Sequence, residues 1–244
     1  GTSILLVTHS SEQIVTHCSH AILLDKGVQL ETGEPRQVVN RYLDLLFGKE
    51  KKSFEAGNPA KDLLKETHIA DDPGYTLSKT EDIFSTRAGY NPHEYRWGDG
   101  TASILDFYLA ADDNVYPSAV VTGQNIRLAV SIRFYKNLQR PILGITIKTK
   151  EGVTVYGVNS ESLDCAEFQV LGQEGTVVHA EANFKCGLAP GDYFVSLGVA
   201  TRNGEEVTPH DRRYDSIHIQ VRPHNGFFGI ADLGLNLCAK PVVL

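Results

Sequence analysis

The feature that most constrains the fold is a run of period-two alternation in the second half of the chain. Between residues 127 and 135, the apolar side chains of Leu128, Val130, Ile132 and Phe134 alternate with polar or small ones. Alternation of this kind is typical of a strand with one face against a core and the other face at the surface. The pattern therefore predicts a half-buried β-strand.

Further strands follow at similar spacing with no helical pattern between them. We predict strands at residues 103–109, 144–150, 153–159, 177–185, 193–201 and 217–221. The pairs Glu151-Gly152 and Asn203-Gly204 are compatible with tight antiparallel hairpins. Residues 93–244 are thus predicted to form an antiparallel β-sandwich of the jelly-roll or immunoglobulin-like kind.

The first part of the chain has a different pattern. Residues 4–7 and 21–24 are short continuous apolar runs, which indicate strands buried on both faces, and a helix is predicted after each of them, ending near Cys18 and Phe47. Residues 48–92 open with a charged stretch and contain few apolar side chains. We expect a mostly β protein in which a short α/β segment, residues 1–47, and a polar linker, residues 48–92, precede the sandwich.

Charge and hydropathy exclude several classes of protein. The 244 residues include 23 Lys and Arg against 30 Asp and Glu, a formal net charge of -7. Nucleic acid is not expected as a partner, because its binding depends on basic side chains that neutralise phosphates. No apolar run approaches the roughly 20 residues that span a bilayer, and no secretion signal begins the chain. The chain lacks Met, which leads us to expect a piece cut from a longer protein.

The cysteines predict free thiols rather than a metal centre. They are far apart in the sequence and form no C-x-x-C pair. Their positions are Cys18, Cys165, Cys186 and Cys238. His17, Cys18 and His20 are close in sequence, but such near neighbours rarely converge on one tetrahedral metal. Residues 112–114 supply fewer oxygen ligands than calcium requires and are expected to form a turn. We predict no metal site.

Several motifs in residues 4–47 resemble the last part of an ABC-transporter nucleotide-binding domain. The motifs are Ile4-Leu-Leu-Val-Thr-His9-Ser10, Ala21-Ile-Leu-Leu-Asp-Lys-Gly27, Gly33-Glu-Pro and Val39-Asn-Arg-Tyr42. By this resemblance, His9 is the switch histidine that approaches the ATP γ-phosphate. The phosphate loop G-x-x-x-x-G-K-[ST], the Walker B motif and the signature motif do not occur in this sequence. We therefore expect no ATP hydrolysis and no cofactor here, with ATP and Mg²⁺ bound by other parts of the parent subunit.

The second half resembles the C-terminal domain of Wzt proteins, the ATPase subunits of exporters for bacterial O-antigen polysaccharides. The resemblance rests on Tyr95-Arg-Trp-Gly-Asp-Gly100, Ile104-Leu-Asp-Phe107, Leu143-Gly-Ile-Thr-Ile-Lys-Thr-Lys-Glu-Gly152, Tyr156-Gly-Val-Asn159, Leu188-Ala-Pro-Gly-Asp-Tyr193 and Tyr214-Asp215. It implies a non-catalytic module that recognises the finished glycan at its non-reducing end and so couples chain completion to export.

The same resemblance implies partners and a location. It implies a homodimer with exchanged C-terminal strands, and residues 229–244 contain the apolar side chains for such a strand. A strand folded back onto its own sheet is the alternative. It also implies a transmembrane permease partner and a cytoplasmic position at the bacterial inner membrane.

The outward positions of the predicted strands supply candidate sugar contacts. A glycan needs hydrogen-bonding side chains for its hydroxyls and a flat apolar or aromatic surface for its C–H faces. The candidates are Ser131, Arg133 and Tyr135 on one strand, His179, Glu181 and Asn183 on a second, and Ser196 on a third. With Gly198 and Ala200, Ser196 would form a shallow floor if the strands share a sheet. An ordinary solvated sheet face is the alternative.

Two other functions are compatible with the sequence. A glycosidase would need a pair of carboxyl groups about 5 Å apart, such as Glu181 with another strand acid, and no motif specifies that pair. A dimerisation or docking module would need no sugar site. Trp97 is expected to close one end of the core, and Tyr193 to lie inside it.

Overall fold

The architecture is given by a computed structural model that describes residues 3–8, 11–47, 74–204, 206–224, 227 and 229–235. The elements of the first segment are α1 Ser11–His17, β1 Ala21–Asp25, β2 Val28–Gly33 and α2 Pro35–Phe47. The later strands are β3 Tyr95–Trp97, β4 Ala102–Ala111, β5 Asn114–Val115, β6 Val120–Val121, β7 Asn125–Phe134, β8 Ile142–Thr149, β9 Thr154–Asn159, β10 Val177–Lys185, β11 Gly191–Asn203 and β12 Glu206–Arg222. Short 3₁₀ helices lie at Phe84–Thr86 and Phe168–Val170.

The later strands form two sheets that share one core. A four-stranded antiparallel sheet has the order β10-β7-β4-β5. A six-stranded sheet has the order β3-β12-β11-β8-β9, and β6 pairs in parallel with β12. Phe107, Leu128 and Ile132 of the first sheet pack in one cluster with Val195 and Ile217 of the second. The predicted β-sandwich is confirmed.

The alternation in the sequence explains which face of each strand is buried. Along β7, Leu128, Val130 and Ile132 are at most 2% exposed, as the period of two predicts. The predicted Gly152 turn joins β8 to β9 with a φ of +86°, a conformation that glycine adopts without strain. Tyr193 lies in the core, as predicted.

The first segment differs from the prediction at its strands. Residues 4–7 were expected to form a buried strand, but they have no regular structure, and Leu5 is 89% exposed. β1 pairs only with β2, in an antiparallel hairpin whose Ile22 and Leu24 are exposed. A strand needs a hydrogen-bonded neighbour and cover on both faces to be buried, and among the described residues no strand supplies these for residues 4–7. The two helices agree with the prediction.

The end of the predicted linker belongs to the sandwich. We name residues 74–87 the strap. Its Leu77 is 2% exposed, and its Phe84 is fully buried in the core against Phe107, with ring centroids 4.5 Å apart. Two buried apolar side chains therefore contribute to the attachment of a segment that the polar composition assigned to a linker. Residues 48–73 of the predicted linker lie outside the described part of the chain.

A buried carboxylate fixes the strap to the four-stranded sheet. Asp106 on β4 has no exposed surface. Its two oxygens accept hydrogen bonds from Arg87 Nε at 2.7 Å and Arg87 Nη2 at 2.6 Å. The backbone N–H of Ser78 donates to it at 2.8 Å, as does the N–H of Phe107. The carboxylate thus has charge compensation and a full set of donors.

A second buried ion cluster joins the strap to β12. Arg213 is 1% exposed, and its guanidinium lies 4.0 Å from the ring centroid of Phe84. Its Nη2 lies 2.7 Å from Asp82, and its Nη1 lies 2.8 Å from Glu94. Paired charges at Asp82 and Arg87 therefore hold the second half of the strap.

In the described part of the chain, we find no helix with the length and apolar character needed to cross a membrane.

We expect Arg87→Met to lower the free energy of unfolding by about 3 kcal/mol, because it leaves the Asp106 carboxylate buried without its cation. Urea denaturation followed by circular dichroism measures the change. Lys136→Ala, at an exposed position, is the control and should shift stability by less than about 0.5 kcal/mol. Equal midpoints for the two variants would contradict the role given to this ion pair.

Candidate functional site

The seven sugar-contact candidates lie on two different sheets. Six of them are on β7, its C-terminal end and β10, and they share the outer face of the four-stranded sheet. Ser196 is on β11, in the six-stranded sheet. The outer faces of a sandwich point in opposite directions, so Ser196 cannot join the others in one site. Its hydroxyl is buried and accepts a hydrogen bond from the N–H of Asp215 at 2.8 Å. The prediction that Ser196 contributes to the same surface is therefore wrong.

The strap covers the middle of the predicted face. Ser131 is fully buried, and its hydroxyl donates a hydrogen bond to the backbone carbonyl of Ser78 at 2.5 Å. A ligand cannot reach this hydroxyl while the strap is in place. Ser131 therefore attaches the strap to β7 and is not an accessible sugar contact.

Beside the strap lie Arg133, Tyr135 and His179. The guanidinium of Arg133 lies 5.3 Å from the ring centroid of Tyr135, and its Nη1 is 3.4 Å from the carbonyl of Thr80. Tyr135 remains 42% exposed. Burial, together with the charge of Lys79, lowers the pKa of His179, and its Nε2 is shielded from solvent without a hydrogen-bond partner. His179 is the cross-strand neighbour of the covered Ser131, and Arg133 and Tyr135 lie two and four residues further along the chain.

Glu181 and Asn183 lie near the first residues of the strap. The Tyr75 hydroxyl donates to Glu181 Oε2 at 2.7 Å, and the Asn183 amide donates to Glu181 Oε1 at 2.8 Å. Arg127 Nε lies 3.7 Å from the same carboxylate. Burial raises the pKa of Glu181, but the two hydrogen bonds and the Arg127 charge outweigh it, so the pKa lies below its usual value. Glu181 is therefore a carboxylate at neutral pH.

An open depression of about 750 Å³ adjoins Glu181 on this face. The depression is lined by Tyr108, Ala110, Asp112, Asp113, Asn125, Ile126, Arg127, Asn183, Phe184 and Lys185. Its walls carry amide, carboxylate, guanidinium and ammonium groups, so it offers both donors and acceptors. Tyr108 supplies an aromatic ring, which stacks on Tyr75 of the strap with centroids 4.5 Å apart. This combination suits a ligand with many hydroxyl groups.

Sequence reasoning missed most of the residues that line the depression. Asn183 is the one candidate among them, whereas Tyr108, Asp112 and Asn125 were not selected. Residues 112–114 were correctly expected to turn, and Asp112 Oδ1 accepts from the N–H of Asn125 at 3.1 Å. Tyr108 could have been found from its position between Phe107 and Leu109, since strand alternation places it on the outer face.

His9 lies outside the described residues. Within the described ranges, no group of three His, Cys, Asp or Glu side chains is arranged to hold a metal ion. Trp97 was expected to close the core, but β3 pairs it with Arg212 on the outer face of the six-stranded sheet, and it is half-buried there.

The fold defines the chain as a two-sheet antiparallel β-sandwich domain carried behind a small α/β segment. The family model of the Wzt C-terminal domain matches residues 93–233, more than half of the chain, so the chain belongs to this family. The crystal structure of the C-terminal domain of Wzt superimposes with a TM-score of 0.64 at 32% identity, and the match covers 68% of this chain and 100% of that one.

A second match covers a shorter stretch of sequence. The ABC transporter protein AbcA of Aeromonas salmonicida is 43% identical over 56 residues. That match covers 22% of this chain and 18% of AbcA. The chain therefore spans less than a fifth of the length of this relative.

We expect Tyr75→Phe to raise the pKa of Glu181 above its wild-type value, because the variant loses a hydrogen bond that favours the carboxylate. A carboxyl pKa depressed in the folded state stabilises the fold above the unfolded-state pKa, and this stabilisation is lost as pH falls. The variant should lose less stability than the wild type on acidification. Carboxyl ¹³C NMR titration measures the pKa directly.

Tyr156→Phe is the control for this titration, because Tyr156 is 54% exposed and lies on the other sheet. Identical Glu181 titrations in the Tyr75→Phe variant and the wild type would show that the 2.7 Å contact does not persist in solution.

Proposed function

We propose that the sandwich recognises O-antigen polysaccharide, through its non-reducing end, and thereby couples completion of the chain to export by an ABC transporter. The single observation that carries this proposal is the polar, aromatic-walled depression on a chain of the Wzt C-terminal domain family. Its volume of about 750 Å³ falls in the range of about 300–1,000 Å³ typical of ligand sites.

The chemistry of the walls supports a carbohydrate ligand. Asn183 and Asn125 present amides, Arg127 presents a guanidinium, and Asp112 presents a carboxylate that can accept from hydroxyls. Tyr108 and Phe184 add apolar surface to the walls. Side chains of both signs surround the site, so hydrogen bonding contributes more than net charge.

The state of Glu181 does not suit the general acid of a glycosidase. A glycosidase acid must hold its proton near neutral pH and therefore needs a raised pKa. The pKa of Glu181 is lowered, and its oxygens accept hydrogen bonds from Tyr75 and Asn183. The proposal is therefore a non-catalytic module, with ATP hydrolysis assigned to the parent subunit.

The proposed mechanism is tethering. Capture of a finished polymer beside the transporter raises its local concentration at the channel entrance without any covalent step. The match to AbcA, described as an ABC transporter protein, supports a transmembrane permease partner and a position at the cytoplasmic face of the inner membrane.

A homodimer is part of the proposal. Residues 230–232 run beside the turn between β10 and β11, with Leu188 bridging to Ala231 and the N–H of Asp232 donating to Gly187 at 2.6 Å. Beyond this contact, Leu233 and Leu235 are 90% and 82% exposed. Exposed neighbouring leucines are typical of an interface. The predicted exchange of residues 229–244 remains a prediction, since residues 236–244 lie outside the described ranges.

We expect Arg127→Ala and Asn183→Ala each to raise the dissociation constant for the native polysaccharide about fivefold to tenfold, the effect of losing one hydrogen bond. Isothermal titration calorimetry with intact and end-trimmed polysaccharide measures affinity and shows whether the terminus is required. Product analysis of the same mixtures tests the enzyme alternative, because released sugars would contradict a binding-only role.

Arg202→Ala is the matched control for Arg127→Ala. Arg202 is 46% exposed and pairs with Glu161, whereas Arg127 is 47% exposed and pairs with Glu181. The control should bind normally. We expect Arg133→Ala and Tyr135→Ala to reduce affinity less than Arg127→Ala, because the strap separates them from the depression. Normal affinity in all four test variants would place the glycan site elsewhere.

For the dimer, we expect a Leu233→Ser, Leu235→Ser double variant to shift the protein toward monomer in sedimentation equilibrium, because it removes apolar surface from the interface. Ile4→Ser, at another exposed apolar position, is the control. An unchanged dimer fraction would mean that the interface does not include residues 233–235.

A further inference from the structure

The α/β segment touches the sandwich through the side chain of Arg36. This arginine lies in the first turn of α2 and reaches across to the six-stranded sheet. Its Nη1 lies 3.5 Å from Asp215 Oδ2, and its Nη2 donates to the carbonyl of Thr149 at 3.3 Å. Its guanidinium carbon lies 4.9 Å from the ring centroid of Phe194. One side chain thus contacts three strands: β8, β11 and β12.

A small apolar contact lies beside this one. Val15 of α1 packs against the turn between β8 and β9, where a Cβ added to Gly152 would come within 3.2 Å of the Val15 side chain. The left-handed φ and this close approach both favour glycine at the turn. The two contacts place the helices of the first segment against the same edge of the sheet.

Asp215 presents one oxygen of its carboxylate to Arg36 of the α/β segment. It has a φ of +53° in β12, where the pairing register with β11 shifts between Val195 and Leu197. Its side chain is 7% exposed, and the Ser196 hydroxyl accepts from its N–H at 2.8 Å. Ser196 Oγ is 3.5 Å from Asp215 Oδ1, which leaves Oδ2 directed to Arg36. A buried carboxylate in this position requires a partner charge, and Arg36 supplies the ion pair beside the nearby Lys148.

The position of Arg36 in its own helix supports an external role. A positive charge in the first turn of a helix opposes the helix dipole, so Arg36 does not stabilise α2. Glu34 caps this turn instead, accepting from the N–H of Gln37 at 3.0 Å. The contact also affects the pKa of Lys148, which lies on the same sheet face. Burial lowers its pKa, Asp215 opposes this effect, and the charge of Arg36 lowers the pKa further.

We propose that Asp215, Thr149 and Phe194 form a docking surface for α2, and that Arg36 is the anchor that holds the sandwich in one orientation relative to the α/β segment. Phe194 alternates with the core residues Tyr193 and Val195, so this surface is the outer face of the six-stranded sheet. The depression lies on the opposite outer face. Docking therefore leaves the depression open and directed away from the α/β segment.

Hydrogen exchange of the full 244-residue chain tests the docking. Arg36→Ala should speed exchange about tenfold at residues 149–153, which corresponds to the loss of one charged hydrogen bond. The amides of β7 and β10 should not change. Alanine is the best helix former, so faster exchange at residues 149–153 cannot be attributed to a weaker α2. Arg41→Ala, an exposed arginine of the same helix, is the matched control.

Two further experiments test the same contact, one by substituting Asp215 and one by changing the salt concentration. Asp215→Asn retains a residue that tolerates the left-handed conformation and should reproduce the effect of Arg36→Ala. Small-angle X-ray scattering should report a larger radius of gyration for both variants. In the wild type, 1 M salt should produce a smaller expansion than either substitution, because a pair whose carboxylate is 7% exposed is screened less than an exposed pair.

Equal exchange at residues 149–153 in the Arg36→Ala and Arg41→Ala variants would overturn the proposal, as would unchanged scattering in both docking variants. The proposal does not depend on a glycan. If the depression is the site, Arg36→Ala should bind the polysaccharide with wild-type affinity. If neither the wild type nor any variant binds the polysaccharide, the glycan function is overturned and the docking result is unaffected.

Discussion

A carboxylate buried on the outer face of a sheet is the constraint on which the rest of the site depends. Asp106 lies where a sandwich strand normally presents a solvated side chain, yet it has no exposed surface. Burial of a charge is tolerated only with a cation and hydrogen-bond donors, and both come from the strap through Arg87 and Ser78. The sheet face therefore cannot be completed without this segment.

The position of the strap also determines the shape of the depression. The same segment that satisfies Asp106 carries Tyr75, which stacks on Tyr108 and donates to Glu181. The strap covers the middle of the face where Ser131 contacts Ser78, and the face remains open beside Asn183. Neutralisation of one buried charge is thus coupled to which part of the face is accessible.

Local pattern predicted β4, β7 and β10 because side-chain alternation is a local property, as in Leu128, Val130 and Ile132, but it predicted only residues 217–221 of β12. The assignment of strands to sheets depends on long-range pairing, which alternation does not encode, and Ser196 was placed on the wrong surface for this reason. The strap was missed because its attachment rests on Leu77, Phe84 and a few buried charges in an otherwise polar segment. Tyr108 could have been predicted from the sequence, because it alternates with the core residues Phe107 and Leu109 along its strand.

The two outer faces of the sandwich carry different features because the core separates them. Phe194 and Asp215 face the α/β segment, whereas Tyr108 and Asn183 face the opposite direction. The core between them is close-packed, with Val199 and Ile132 fully buried, so the relative placement of the two faces is fixed. An arginine on α2 that fixes the orientation of one face relative to the α/β segment therefore also fixes the orientation of the opposite face, which it does not contact.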